Sequence, residues 1–246
     1  MPATPAWPPA STPRLHIDQP LEALASIVIG GAQAHYLAGV MRMKVGDPVR
    51  LFDNISGEWL AEVVNLGKRE LHLNISGKLS ERELVPDLWL LTAPIKKGRI
   101  DWIIEKACEL GVARIVPVLT QRTIVDKINP DRLSAHMIEA AEQCGRTALP
   151  ELAEMVKLTA MLANWPADRT LIFADEAGGA PMAEAITPGP AAILIGPEGG
   201  FTDDERAAIR AHPAARGVSL GPRILRADTA VVAAITLWMA IAGDWR

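Results

Sequence analysis

Cysteine is scarce in this chain. The two present, Cys108 and Cys144, stand far apart and form no Cys-x-x-Cys pair. That excludes a disulfide framework and a cysteine zinc site, and it suits a reducing compartment. Cys144, in Glu-Gln-Cys-Gly-Arg, reads more plainly as a half-buried helical thiol than as a nucleophile. No apolar run reaches the length of a membrane span. The longest, TAVVAAITLWMAIAG over 229–243, predicts a helix buried in a core or a subunit interface. A basic-then-apolar leader is also missing, so a cytoplasmic location is expected. MPATPAWPPASTP opens the chain instead, and its five prolines predict a disordered or extended tail over 1–13. The net charge of -4 shows no basic excess, so any nucleic acid would have to meet a local basic face. Neither G-x-G-x-x-G nor a P-loop Gly-Lys-Ser/Thr occurs, which removes the two commonest nucleotide cradles.

What is present divides by texture. VRLFD (49–53), EWLAEVVNLGK (58–68) and ELHLNIS (70–76) are short, β-branched and partly alternating, with Asn-Ile-Ser-Gly and Gly67 at the turns. A helical patch, AHYLAGVMRM, precedes them. These segments predict a small closed β-barrel over 14–77. KLSERELVPD, 78–87, is charged and aperiodic and reads as a linker. From 88 to 246 strands alternate with helices: WLLTAPI, then GRIDWIIEKACELG with Ile100, Ile103, Ile104, Ala107 and Leu110 on one face, then ARIVPVL, a helix over 131–144, TLIFAD, AILIG and GVSLG. That order predicts an α/β domain with a parallel sheet covered on both sides.

Two strand ends carry special chemistry. In LIGPEGGFTDDE, 194–205, an apolar strand meets Gly-Pro and two further glycines, and Thr202 with Glu205 predicts a capping box that starts a helix. Asp203, Asp204 and Glu205 at that helix start disfavour an anionic ligand and favour a neutral or cationic one. A second corner, VSLGPRILRADTA over 218–230, again ends a strand at Gly-Pro. Glycine lets the backbone approach a ligand and proline stiffens the turn. Two such corners at strand C-termini would flank one crevice and could read a purine edge with backbone groups alone.

LIGPEGGFTDDE and LGPRILRADTA closely resemble the cofactor signature of the SPOUT methyltransferases and, more narrowly, of the RsmE family, which methylates N3 of a uridine in 16S ribosomal RNA. AHYLAGVMRMKVGD, RIDWIIEKACELGV and EAAEQCGRTALPEL resemble further blocks of that family in the same order. Asp228 stands where the family usually has Glu, and Met41 where Leu is usual. The resemblance implies a PUA-like RNA-binding barrel followed by a SPOUT α/β domain with a deep trefoil knot. It also implies S-adenosylmethionine as cofactor, a homodimer, 16S rRNA or the small ribosomal subunit as partner, and no membrane or metal.

On this reading Leu194, Ile195, Gly196, Glu198 and Gly199 of the first corner bind the cofactor, together with Leu220, Gly221, Ile224, Leu225 and Arg226 of the second. Thr92, at the end of the domain's first strand, joins them. A uridine N3 must lose its proton, and the resulting anion needs stabilising. Arg226 or Arg146 is expected to stabilise that anion, while Gln143 or Glu142 orients the base or takes the proton. Glu142 and Arg146 are four apart, so a plain surface ion pair on one helix face is the competing interpretation. RNA contact is expected from Arg14, His35, Arg42 and Lys44 on the barrel and from Lys96, Lys97 and Arg99 on the catalytic domain, with Arg122 and Lys127 as possible additions. Other readings are a SPOUT enzyme acting on a ribose 2′-hydroxyl or a transfer RNA, and a catalytically silent ribosome-assembly factor. A dinucleotide-dependent oxidoreductase fails for want of the fingerprint.

Overall fold

The computed structural model describes residues 11–245. Contacts divide the chain into an N-terminal unit that ends at Leu84 and takes in Ala141–Ala148, and a C-terminal unit made of Val85–Ala140 and the chain from Leu149 on.

In the N-terminal unit, β1 (Arg14–His16) and β2 (Ser26–Gly30) precede a short helix α1 (Gly31–His35), which runs into a π-helical turn, Tyr36–Val40. Then come β3 (Pro48–Phe52), β4 (Glu58–Leu66) and β5 (Glu70–Ser80). The sheet order is β1-β3-β4-β5-β2, with β1 parallel to β3 and the other pairs antiparallel. Ala61 and Val63 of β4 and Leu71, Leu73 and Ile75 of β5 alternate inward, as a half-buried sheet requires. Each large side chain so buried contributes about 1.5–3 kcal/mol. The expected closed barrel is instead a half-barrel, because β1 and β2 end the sheet without pairing to each other. Ala34 and Leu37 of the helical segment complete its core in place of further strand pairing.

Two expected boundaries shift. The predicted tail over 1–13 falls mostly on residues outside those described. Of its last three residues, Thr12 is buried and the Pro13 carbonyl accepts the Arg50 N–H at 2.8 Å, so the ordered unit begins ahead of Arg14. The predicted linker over 78–87 contains the boundary between the units, at Leu84/Val85, but its first residues are strand and its ends are tied down: β5 runs to Ser80, Arg82 donates to the Asn54 carbonyl at 2.7 Å, and Asp87 accepts from Arg169 at 2.7 and 2.9 Å. Charge and missing periodicity there reflect residues tied by side chains, which no local pattern reveals.

The C-terminal unit follows the predicted alternation: β6 (Leu88–Thr92), α2 (Arg99–Glu109), β7 (Arg114–Leu119), α3 (Pro130–Cys144), β8 (Glu151–Leu152), β9 (Val156–Lys157), α4 (Leu158–Ala163), β10 (Thr170–Ala174), β11 (Ala180–Pro181), α5 (Met182–Ala185), β12 (Ala191–Ile195), α6 (Asp203–Ala211), β13 (Ala215–Ser219) and α7 (Ala227–Ile241). Its sheet is parallel throughout, in the order β11-β13-β10-β12-β6-β7-β8, with β9 also beside β7. All five residues of β12 are buried, as befits a central parallel strand covered on both faces. At the N-terminal edge, the Trp89 ring lies 3.8 Å from the Arg169 guanidinium and 4.6 Å from that of Arg114. The order places β13, β10 and β12 side by side, so their C-terminal ends share one edge.

Candidate functional site

That edge holds a cavity of about 610 Å³, lined at the ends of three strands: by Ala174, Asp175, Glu176 and Gly178 at β10, by Ile195–Glu198, Gly200 and Phe201 at β12, and by Val218–Ala227 at β13. Both predicted corners reach it. Because β10 lies between β12 and β13, a third corner, Asp175–Glu176–Ala177–Gly178–Gly179, spans the gap between them. The sequence carried a signal for it, since TLIFAD ends a strand and a glycine pair follows, yet without Gly-Pro it does not stand out.

The first corner is anchored at its α6 end. Thr202 caps α6 and accepts the Glu205 N–H at 3.3 Å, while Glu205 accepts the Thr202 N–H at 3.0 Å, as the predicted capping box requires. Glu205 is buried and also accepts the Gln121 N–H at 2.7 Å. Arg122 donates to the carbonyls of Gly199 and Phe201 at 2.7 and 3.2 Å. Phe201 drops into the core against Phe173, with ring centroids 6.4 Å apart. Gly200 has φ +67°, a conformation that favours glycine, and a Cβ there would lie 2.4 Å from a Glu176 oxygen, so that carboxylate would have to shift. Glu176 is in turn held by Arg206 at 2.9 Å, and the buried Asp175 accepts from Arg210 at 2.8 Å.

The second corner is open. Gly221, with φ +116°, Pro222, Arg223 and Ile224 are exposed, Ile224 to 86%. Hydrogen bonds here include those between Ser219 and Gly221 at 3.2 and 3.3 Å. Arg226 is the N-cap residue of α7 and lines the cavity. Across from it, Arg99 pairs with Glu198 of the first corner and with Asp228 in the first turn of α7, the latter at 2.8 Å. Burial would raise the Asp228 carboxyl, but the Thr229 N–H and the Arg99 guanidinium outweigh it and hold the group below the ordinary carboxylate range.

Among the predicted cofactor residues, Ile195, Gly196, Glu198, Leu220, Gly221, Ile224, Leu225 and Arg226 line the cavity. Leu194, Gly199 and Thr92 do not. Leu194 is fully buried in the core, Gly199 faces Arg122, and Thr92 is buried with an unpaired hydroxyl at the end of β6. The acids expected to face a ligand also differ. Asp203, Asp204 and Glu205 are outside the lining, and the carboxylates that reach it are Asp175, Glu176 and Glu198. Sequence reading missed Asp175, Glu176, Arg206 and Phe201 as lining residues.

The Glu-Gln-Cys-Gly-Arg block sits in the N-terminal unit, apart from Arg226 in the chain's division. Glu142 and Arg146 do not share a helix face, because α3 ends at Cys144 and Gly145 turns the chain with φ +86°. Glu142 accepts the His16 N–H at 2.9 Å, and Arg146 is buried with its Nε 3.2 Å from Glu83. That same Glu83 oxygen accepts the N–H groups of Thr147 and Ala148 at 3.0 and 2.9 Å. Gln143 is exposed.

Arg14, expected on an RNA-facing patch, is a structural residue instead. It is buried, pairs with Glu58, donates to the Ala141 and Arg146 carbonyls, and lies 3.9 Å from the Phe52 ring centroid. Arg99 is likewise committed, to Glu198 and Asp228, and Arg122 to the first corner. His35, Arg42, Lys44, Lys96, Lys97 and Lys127 are exposed. Arg42 holds φ +54°, a left-handed conformation uncommon outside glycine.

Residues 82–239 match a protein-family profile described as an RNA methyltransferase domain, and residues 29–76 one described as an RNA methyltransferase PUA domain. The ribosomal RNA small subunit methyltransferase E of Rickettsia conorii is 30% identical over 228 residues, spanning 90% of this chain and 93% of that protein. The protein of the same name from Synechocystis is 31% identical over 221 residues, spanning 86% and 72%. A crystal structure of ribosomal RNA small subunit methyltransferase E from Neisseria gonorrhoeae, bound to S-adenosylmethionine, matches with a TM-score of 0.86 at 26% identity, over 96% of this chain and all of that one. Strand order, glycine corners and these matches agree, and the chain belongs to the ribosomal RNA small subunit methyltransferase E family of RNA methyltransferases.

Proposed function

We propose that this protein transfers a methyl group from S-adenosylmethionine to N3 of a uridine in 16S ribosomal RNA of the small ribosomal subunit. The observation that carries the reading is the cavity where three glycine-bearing strand ends meet. Its volume of about 610 Å³ falls in the range of small-molecule sites, and its walls display backbone groups of Gly196, Leu220 and Gly221. The acids of the lining, Asp175, Glu176 and Glu198, stand beside Arg99, Arg206, Arg223 and Arg226, so the fit rests on the size of the cavity and its glycine-bearing corners rather than on charge. The residues present therefore fit the cofactor. Ile195, Gly196, Leu220 and Leu225 would hold it, and when bound it supplies a methyl group on that electrophilic sulfur.

The chain's own contribution is to position the acceptor, exclude water and stabilise an anion. The Arg226 guanidinium makes no ion pair among the described residues and lies at the cavity wall. Facing the uracil carbonyl oxygens, it lowers the cost of the N3 anion. Glu142 accepts the His16 N–H and Arg146 pairs with Glu83, so both tie their block to the rest of the N-terminal unit.

RNA phosphates meet His35, Arg42 and Lys44 in the N-terminal unit and Lys96 and Lys97 at the start of α2. Support for the SPOUT assignment, with a trefoil knot in the C-terminal segment, comes from the corner motifs and the parallel sheet order. A homodimer is supported by the half-buried outer face of α7, Val232, Ala233 and Leu237, and by Trp102, 39% exposed. No helix among the described residues is long and apolar enough to cross a membrane, in keeping with a cytoplasmic enzyme.

The test is transfer of labelled methyl to small subunits, naked 16S RNA and bulk transfer RNA from cells lacking the protein, with the product nucleoside identified. Label as 3-methyluridine in ribosomal RNA is the expected outcome. A 2′-O-methyl product, or label confined to transfer RNA, would overturn the substrate.

A further inference from the structure

Arg99 bridges the first corner and the base of α7. Its Nη1 pairs with Glu198, while Nη2 and Nε meet the Asp228 carboxylate at 2.8 and 2.9 Å. We propose that Arg99 is a positioning residue that latches the first corner to α7, and so sets both the affinity of the cavity for its cofactor and the bearing of Arg226.

The post of the latch is fixed. Arg99 opens α2, its own N–H donates to the Lys96 carbonyl at 3.1 Å, and the Gly98 N–H reaches Asp101 at 3.2 Å. One receiver is fixed as well, because Asp228 also accepts the Thr229 N–H at 2.8 Å. The other receiver is not. Glu198 is 41% exposed, and Arg99 is its ion-pair partner among the described residues. Without the guanidinium, Glu198 would turn to solvent and the corner would lose its tie to α7. Asp228 lies two residues beyond Arg226, so a shift of this first turn re-aims the guanidinium that faces the substrate. A planar fork can hold two carboxylates at once, whereas a lysine ammonium is a point charge. The role therefore depends on geometry, and a charge alone does not replace it.

This inference rests on the reading of the cavity as the S-adenosylmethionine site, and the experiment separates the two. Calorimetric titration of the full-length protein with S-adenosylmethionine comes first. Arg99→Met is expected to weaken binding about ten-fold and to lower kcat as well, and Arg99→Lys to restore little of either. The double variant Arg99→Met/Asp228→Asn should bind within about two-fold of Arg99→Met, since Arg99→Met has already removed the Arg99–Asp228 contact. Wild-type affinity in Arg99→Met, full rescue by lysine, or additive losses would each overturn the latch. Should the wild-type protein bind no S-adenosylmethionine, the functional reading fails while the latch is still decided by hydrogen exchange without ligand. Arg99→Met should then speed exchange in 196–201 and 224–230 and leave 88–92 unchanged, and unchanged exchange in both segments would sink it. If Arg99→Met does not fold, Glu198→Gln serves in both measurements.

Discussion

Two arginine clusters, one in each unit, use the same chemistry to opposite ends. In the N-terminal unit Arg14 and Glu58 have side chains only 6% and 4% exposed, and Arg50 adds a second cation to Glu58. Every direction of the Arg14 fork is occupied, by a carboxylate, two carbonyls and an aromatic face. At the cavity, Arg99 is 28% exposed, its partner Glu198 is 41% exposed, and both border open space. A closed cluster with all partners internal fixes a fold. A cluster with one side open can hold or exchange a ligand, and its worth lies in function rather than stability.

The largest effect expected from this contrast is in the closed cluster. Glu58→Gln leaves two guanidinium groups, one of them deeply buried, without their counter-charge, and should cost about 3–5 kcal/mol of stability. Chemical denaturation would show it as a lower midpoint, while methyl transfer per folded molecule stays near wild type. A variant as stable as the parent would mean that Arg14 is better hydrated than its burial implies.

The open side gives the next effect, in rate. Arg226→Ala removes a guanidinium proposed to face developing negative charge, which at comparable sites is worth about 100- to 1,000-fold in kcat. Melting should hardly move, because the side chain contributes no cap hydrogen bond to α7. An Arg226→Ala enzyme with wild-type turnover and normal cofactor affinity would remove Arg226 from the chemistry.

How far these roles were legible in the sequence depends on the range of the signal. Thr202 and Glu205 declare the start of α6 three residues apart, and Ile100, Ile103, Ile104 and Ala107 declare the buried face of α2, because both signals are local. The Gly-Pro corners were legible for the same reason. The corner after β10 carries two acids, an alanine and two glycines, a composition any surface turn shares, so its place beside the other two emerges only from the strand order. Arg14 and Arg99 were misread as RNA contacts because a sequence records charge and not the partner that neutralises it. Arg14 reaches carbonyls 127 and 132 positions away. No periodicity marks that reach, nor the return of 141–148 to the N-terminal unit. A half-barrel in place of a barrel is likewise a matter of which strands fail to pair.

Exposed cations sharpen the contrast further, with a smaller effect per residue. Arg42→Ala combined with Lys44→Ala should lower RNA affinity at low salt and flatten the dependence of log affinity on log salt by about 1.4–1.8, at about 0.7–0.9 per phosphate contact. Arg14→Met would destabilise the protein without changing that slope. Equal slopes for the parent and the Arg42/Lys44 variant, in filter binding across a salt series, would return both residues to a plain solvated face.

The smallest effect is in acid, and its sign follows from burial. His16 is pushed below the ordinary histidine value of 6.5, chiefly because burial disfavours its charged form and secondarily because Arg14 repels it, against the attraction of Asp18 and Asp53. Asp53 moves below 3.8 although its burial opposes this, because Ser56 and the Leu21 and Ile55 N–H groups hydrogen-bond its charged form. Both folded values lie under the unfolded ones, so each group adds stability that is complete above its unfolded value and is lost as pH falls toward the folded one. The N-terminal unit should therefore weaken in two steps, the first starting near pH 6.5 and the second near pH 3.8. His16→Gln should erase the first step and leave the second, read from denaturation midpoints along a pH series. If the first step survives that substitution, the histidine is not its source. At the open cavity Asp228 has the same sign of shift but owes part of it to Arg99, so Arg99→Met should bring its titration back toward the ordinary carboxylate range, whereas nothing done at the cavity should move the His16 step.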